Sequence, residues 1–320
     1  MKKQCYCGVG GQAILEGIMM KNGDRAAVAV RMQDGSVHID TRDVKSICGD
    51  SKAAKLPFLR GPINFIDSLV LGIRTIEESA DLLITEEERA EAGTKEKKPG
   101  FWDKFLSEKQ QKDIGTALTV LFAVVFSLGL FMVLPVFIAG LLRPLISSAF
   151  GISLLEGLLR VAMFVIYIWL ISLMKDIRRV FMYHGAEHKC INCIEHGLPL
   201  TVENVRACSK QHKRCGTSFM LFVMIISIFV SLFLPHEVIW LRALSRLLVL
   251  PVVVSVSYEF IRLAGRSDSA FANILSKPGL WLQGLTTREP DDTMIEVGIA
   301  SVEAVFDWKA WQAENTEEQT

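Results

Sequence analysis

The chain holds 320 residues, half of them apolar, with 35 lysines and arginines set against 35 aspartates and glutamates. A net charge of zero gives no electrostatic case for a nucleic-acid partner. Mean hydropathy is positive, and the apolar residues crowd between 114 and 265 while charges collect at both ends and in one internal loop. That distribution excludes one large soluble core and predicts a polytopic membrane protein with polar portions.

In chain order, residues 1–54 read as a small β-rich region. "AILEGIMM", "AAVAVRM" and "SVHID" form a meander, punctuated by Asn22-Gly23 and Asp34-Gly35, whose residues suit positive-φ hairpin turns. The preceding "GVGG" reads as a flexible turn, since no Gly-Lys-Ser/Thr follows it. Residues 55–84 carry an apolar stripe (Phe65, Ile66, Leu69, Val70, Ile73, Ile76) at helical spacing with charges on the remainder. This predicts an amphipathic helix on a membrane surface or against a helical bundle. Residues 85–113 form a charged linker in which "FWDKFL" suits an interface.

Four apolar segments follow, at 114–142, 152–174, 217–236 and 244–265, each long enough for a span. Pro135 is placed to kink the first, and Glu156 with Arg160 can pair on one face of the second. Lysines and arginines concentrate in the loop between the second and third segments, and both terminal regions also carry positive charges. An even span number with this bias predicts a bacterial plasma-membrane protein with both termini and residues 175–216 in the cytoplasm. No apolar signal-peptide region opens the sequence. Residues 266–320 contain "KPGLWLQGL", a second interfacial stretch, and an amphipathic helix opening near Pro290 that buries Ile295, Ile299, Val302 and Phe306. The tail "AENTEEQT" reads as disordered. The fold class is thus mostly α: about four spans, an N-terminal β-meander and a C-terminal amphipathic helix. No internal repeat of the transporter kind is present.

Seven cysteines, mostly on a reducing side, argue against a disulfide framework and for free thiols or metal ligands. The stretch "MYHGAEHKCINCIEHG" contains His184-Gly-Ala-Glu187-His188, an H-x-x-E-H pattern. On a helix continuing the second span, His184 and His188 lie about 40° apart on one face, one turn from each other. Both imidazoles can address one ion, zinc by preference, with Glu187 as general base toward water. Catalytic zinc takes a third protein ligand. Glu195 lies on the same face but roughly 10 Å further along. His212, Cys215, Glu259 and Glu16 are the other candidates, Glu259 favoured by its depth at the end of the fourth span. A competing arrangement pairs Cys190 and Cys193 with His212 and Cys215 around a structural zinc. On a helix, however, that cysteine pair faces away from the histidines.

Several stretches, "GGQAILEGIMM", "PFLRGPINFIDSLVLGI", "YHGAEHKCINCIE", "PLTVENVRACSKQHKRCGTSF", "SYEFIRLAG" and "PGLWLQGLTTREPDDTMIEV", together resemble the YqhQ-like bacterial membrane proteins. That family is described as a domain of unknown function, with members labelled metal-dependent enzymes. The resemblance runs from Gly10 to about Val305 and implies a metal site at His184, Glu187 and His188, with Glu195, Cys193, His212 and Cys215 beside them. The expected function is a membrane hydrolase using a divalent metal, zinc by donor type, with membrane lipids as partners and a membrane-associated substrate reached from the cytoplasmic face: a peptide, a lipid head group or a membrane-protein segment. The alternative is a non-enzymatic scaffold with a structural histidine cluster. A transporter is disfavoured by the lack of repeats.

Overall fold

The computed structural model describes residues 6–49, 56–84, 108–146, 148–234, 238–265 and 269–317. Most of the linker expected at 85–113, including "FWDKFL", lies outside the described residues. The protein is mostly helical and divides into two compact units. The first comprises Met1–Leu83, Val165–Ile226 and Leu250–Thr320; the second comprises Ile84–Phe164 and Ser227–Val249.

In the first unit the N-terminal region is a four-stranded antiparallel sheet in the order β1 (Val9–Ile14), β2 (Gly17–Asn22), β3 (Arg25–Arg31) and β4 (Val37–Asp43). The turns after β2 and β3 carry Gly23 and Gly35 at φ +58° and +85°, as their sequence signals require. The expected single strand "AILEGIMM" is in fact two, and "GVGG" is part of β1 rather than a loose turn. The chain reverses at Leu15-Glu16, closing on the pair Ile14 and Gly17. Glu16 takes φ +48°, and its carboxylate is held by Arg179 Nε at 2.5 Å and by the Tyr183 hydroxyl at 3.3 Å. Tertiary bonds therefore stabilise a turn that has no local turn chemistry. The same bonds occupy Glu16, one of the residues considered as a metal ligand.

Alternation along β2 and β3 gives the sheet two apolar faces. On one, Ile18, Met20 and Ala29 join a core with Tyr183, Ile191, Met294 and Ile295. On the other, Ile14, Met19, Val28 and Val30 meet Leu71. Leu71 belongs to α1 (Arg60–Leu83), the amphipathic helix the sequence places there. The first face is covered by α5 (Lys175–Glu195) and α10 (Asp292–Glu303), numbering the helices in chain order. Asp291 caps α10 by accepting from the Met294 amide at 3.0 Å. Gly298 of α10 sits where an added Cβ would lie 2.8 Å from Cys190 Sγ, so a side chain there would force the two helices apart.

Among the described residues, three helices are long and apolar enough to cross a membrane, at Ile114–Leu141, Phe150–Ile171 and Ala243–Leu263. They correspond to α2 (Glu108–Leu128) running through a π-helical turn (Gly129–Val133) into α3 (Leu134–Leu141), to α4 (Ala149–Ile171) and to α8 (Ile239–Gly265). The expected span at 217–236 is a shorter apolar helix, α7 (Gly216–Ser231). Its 16 residues reach about 24 Å. In the second unit, Pro135 has no N–H for the carbonyl of Phe131, and a π-helical turn runs just before it. Arg160 Nε donates to that carbonyl at 3.1 Å, and Arg160 Nη1 to Ser227 Oγ at 2.8 Å. Glu156 forms its ion pair with Arg246, not with Arg160 as the spacing suggested.

The second span does not continue as one helix into the histidine region. Met174 adopts an extended conformation between α4 and α5. Downstream lie α6 (Val202–Ala207), α9 (Ala270–Thr286) and α11 (Trp308–Glu317). Helix α9 absorbs Pro278 and covers "KPGLWLQGL". Helix α11 takes up part of the tail expected to be disordered.

Candidate functional site

Helix α5 presents His184, Glu187 and His188 in the first unit, and the residues around it are arranged to receive them. An added Cβ at Gly185 would lie 2.0 Å from the Arg288 carbonyl oxygen, so only glycine lets the connector between α9 and α10 approach. The Arg288 amide donates to the Phe181 carbonyl at 2.8 Å. This docking brings the Thr286 carbonyl to 2.9 Å from His184 Nδ1. On the neighbouring strip of α5, polar side chains hold the segment that follows α6. Lys189 Nζ, buried, donates to the carbonyls of Arg206 and Cys208 at 2.9 and 2.8 Å. Asn192 Nδ2 donates to those of Ser209 and Gln211 at 2.7 and 2.9 Å. His188 Nδ1 bonds the Lys210 carbonyl at 2.7 Å.

The segment so held delivers Cys215 to the histidines. Cys215 Sγ lies 3.3 Å from His184 Nε2, and the two imidazole centroids are 4.3 Å apart. Donor atoms of His184, His188 and Cys215 all fall within 4.8 Å of one another, the metal-capable cluster found among the described residues. Because carbonyl oxygens only accept, both Nδ1 atoms carry the ring protons, which leaves both Nε2 atoms turned toward Cys215. Histidine ligands are commonly oriented in this way by a second hydrogen bond.

Glu187 is buried beside the cluster, with its side chain against Gly11 of β1, where an added Cβ would come 3.0 Å from its Cγ. The other expected ligands are engaged elsewhere. Glu195 accepts from the Cys7 amide at 3.2 Å, lies 3.3 Å from His212 Nε2, and pairs with Arg214. His212 thereby turns Nε2 toward Glu195, and its ring stands 5.7 Å from that of His188. Glu259 takes Arg60 Nε at 2.6 Å and the Phe58 amide at 3.4 Å, joining α8 to the start of α1. Neither Glu195, His212 nor Glu259 belongs to the three-residue cluster. The four-ligand arrangement of Cys190, Cys193, His212 and Cys215 is not assembled. Cys190 packs against Gly298, and Cys193 faces the Leu198 and Pro199 carbonyls.

Residues 56–308 match the family described as "Protein of unknown function (DUF1385)". The chain belongs to this family. It is also similar to "Uncharacterized protein YqhQ" of Bacillus subtilis (strain 168), at 36% identity over 313 residues, covering 96% of this chain and 94% of the relative. No solved structure matches it. The family match spans α5 and Cys215 but begins after the sheet that carries Gly11.

Electrostatics in this family member favours the metal-ligating form of the cysteine. Burial pushes the Cys215 thiol up, but His184 and His188 overcome it and hold it well below the ordinary thiol value. Burial pulls the His184 imidazole down, but the Cys215 sulfur and Glu187 outweigh it and raise it to about 9. Burial raises Glu187 above the usual carboxylate range against the pull of both histidines. The thiolate, two oriented imidazoles and a carboxylate with raised proton affinity line one cavity of about 640 Å³.

Proposed function

We propose that this protein is a metal-dependent hydrolase of the membrane surface, with His184, His188 and Cys215 as ligands and Glu187 as general base. The observation that carries the reading is the convergence of three donors, two of them imidazoles already fixed by carbonyls. Bond lengths of about 2.0–2.1 Å for Zn–N and 2.3 Å for Zn–S place tetrahedral N and S ligands about 3.5 Å apart. The 3.3 Å between His184 Nε2 and Cys215 Sγ fits that spacing. Three protein ligands leave a fourth position for substrate or water, the pattern of catalytic rather than structural sites. A zinc-like ion held there supplies Lewis acidity to a carbonyl or phosphoryl oxygen and to water. Glu187 accepts the proton of the attacking water and returns it to the leaving group, and its raised pKa suits both halves of that task.

The reading extends to topology. The sheet and α10 pack together, so an even number of crossings separates them, which supports α7 as a fourth, short crossing beside the three longer ones. The lysine and arginine bias favours the cytoplasmic side for this packed region.

The test is elemental analysis of protein purified without chelator. About one transition-metal ion per chain is expected, lost in the His184→Ala/His188→Ala double variant. Glu187→Gln should retain the ion and lose roughly 10²–10⁴-fold in turnover. Absence of metal from the unaltered chain defeats the proposal. It would favour a second reading supported by the short Sγ···Nε2 contact, with Cys215 as nucleophile and His184 as its base.

A further inference from the structure

The cavity at the cluster has two kinds of wall. One end is polar and holds His184, Glu187, His188 and Cys215. The other is apolar, built from Phe65 and Leu69 of α1, Phe219 and Met220 of α7, and Ile261 of α8. Leu69 and Met220 are 45% and 43% exposed, so this wall reaches the surface instead of closing a core. Ile261 falls within the Ala243–Leu263 segment that is apolar enough to cross a membrane, so part of the wall belongs to a candidate span. Helix α1 is fastened there by Arg60 to Glu259 and by Asn64 Nδ2 to the Tyr258 hydroxyl at 2.8 Å.

The third side is the edge of β1, which is where an extended peptide would be expected to add as a strand. It is already engaged. The two-residue turn closes on Ile14 and Gly17, and hydrogen-bonded pairs then alternate, so Gly11 and Val9 turn their amides away from β2. Helix α5 packs along β1, the Glu187 side chain lies against Gly11, where an added Cβ would come 3.0 Å from its Cγ, and the Cys7 amide just upstream donates to Glu195 at 3.2 Å. A polypeptide laid along this edge would meet the Glu187 side chain and find the Cys7 donor taken.

We infer that the substrate is a bilayer amphiphile: an acyl or prenyl chain seated between Phe65, Leu69, Phe219 and Met220, with its hydrolysable polar head presented to His184, His188 and Cys215. The apolar wall continuous with a candidate span matches such a chain, and the occupied strand edge disfavours a peptide. The inference rests on the hydrolase reading for what happens to the head, so its test reads occupancy rather than turnover.

The full-length protein is placed in nanodiscs containing phosphatidylethanolamine with a photoactivatable diazirine on its acyl chain, irradiated, and mapped by mass spectrometry, with metal content measured in parallel. Label is expected to concentrate around Leu69 and Met220. Leu69→Trp and Met220→Trp, each filling the cavity, should cut that label roughly five-fold or more, the low end of the effect of overpacking. Label at Leu158, exposed on α4, and bound metal should not change. The inference is overturned if the cavity labels no more than Leu158. It is also overturned if neither tryptophan lowers the label, or if reduced, carboxymethylated insulin B chain displaces it, which would make the occupant a peptide. Cavity labelling in a metal-free protein would remove the hydrolase reading and leave the amphiphile site. Metal without cavity labelling would do the reverse.

Discussion

Replacing Glu195 by glutamine separates a ligand from a structural carboxylate. The side chain is fully buried and meets the Cys7 amide, His212 and Arg214. Burial raises its pKa, but His212 and Arg214 prevail and hold it at about 2 against an ordinary 4.5. That difference corresponds to about 3 kcal/mol of stability. The folded value lies below the unfolded one, so the contribution is complete above about pH 4.5 and is lost as pH falls toward 2. About 2 kcal/mol of it should be gone by pH 3. Denaturant unfolding in detergent, followed by tryptophan fluorescence from pH 7 to pH 3, should show Glu195→Gln less stable by about 3 kcal/mol at neutral pH. The two proteins should converge by about 2 kcal/mol at the acid end. Metal content should not change. Parallel pH curves would refute the ion-pair account, and loss of metal would make Glu195 a ligand after all.

Cys215→Ser should bind the ion roughly 10²-fold more weakly in a competitive chelator titration while its helical circular dichroism is retained, since a neutral hydroxyl replaces a thiolate donor. Iodoacetamide should modify exposed Cys48 readily and buried Cys7, whose thiol is pushed up to about 12 chiefly by burial, very slowly. Removal of metal should selectively raise the alkylation of Cys215. Gly298→Ala should lower unfolding stability by about 1–3 kcal/mol, because the new Cβ meets Cys190 Sγ at 2.8 Å between packed helices. Glu259→Gln should leave metal content as it was.

The histidine pair was legible because helical periodicity alone puts residues four apart on one face. The third donor was not, although Cys215 stood among the candidates. It arrives through bonds from Lys189, Asn192 and His188 to the backbone carbonyls of its segment, and bonds to carbonyls leave no matching side-chain pattern in the sequence. Glu195 had the right face and Glu259 a plausible depth, but Arg214 and Arg60 were the decisive neighbours, and no periodicity reports them. The same division holds in the sheet. Asn22-Gly23 and Asp34-Gly35 announced their turns, whereas Leu15-Glu16 turns because Arg179 and Tyr183 hold Glu16 from another helix. Gly11 escaped notice for a related reason. Its contribution is the lack of a side chain, and only the fold brings that bare stretch of backbone against Glu187.

The proposed membrane reading can be carried further from the packing. Ser301 Oγ of α10 donates to the carbonyls of Ile18 and Ala27 at 3.1 and 3.3 Å. If the apolar helices cross a bilayer, the strands before all of them and the helix after all of them share one side. Three crossings would separate them, and the proposed reading takes α7 as the fourth. It leaves from Cys215 at the site, and α8 returns to the same cavity at Tyr258 and Ile261. If α8 crosses inward, α7 must cross outward despite its length, which a locally thinned bilayer accommodates at a cost of fractions of a kcal/mol per Å. In intact cells a membrane-impermeant maleimide should therefore spare Cys48 beyond β4 and label an Arg143→Cys variant between α3 and α4. Labels would be assigned by mass spectrometry. Labelling of Cys48 from outside would reverse the orientation, and labelling of both positions from one side would break the even count.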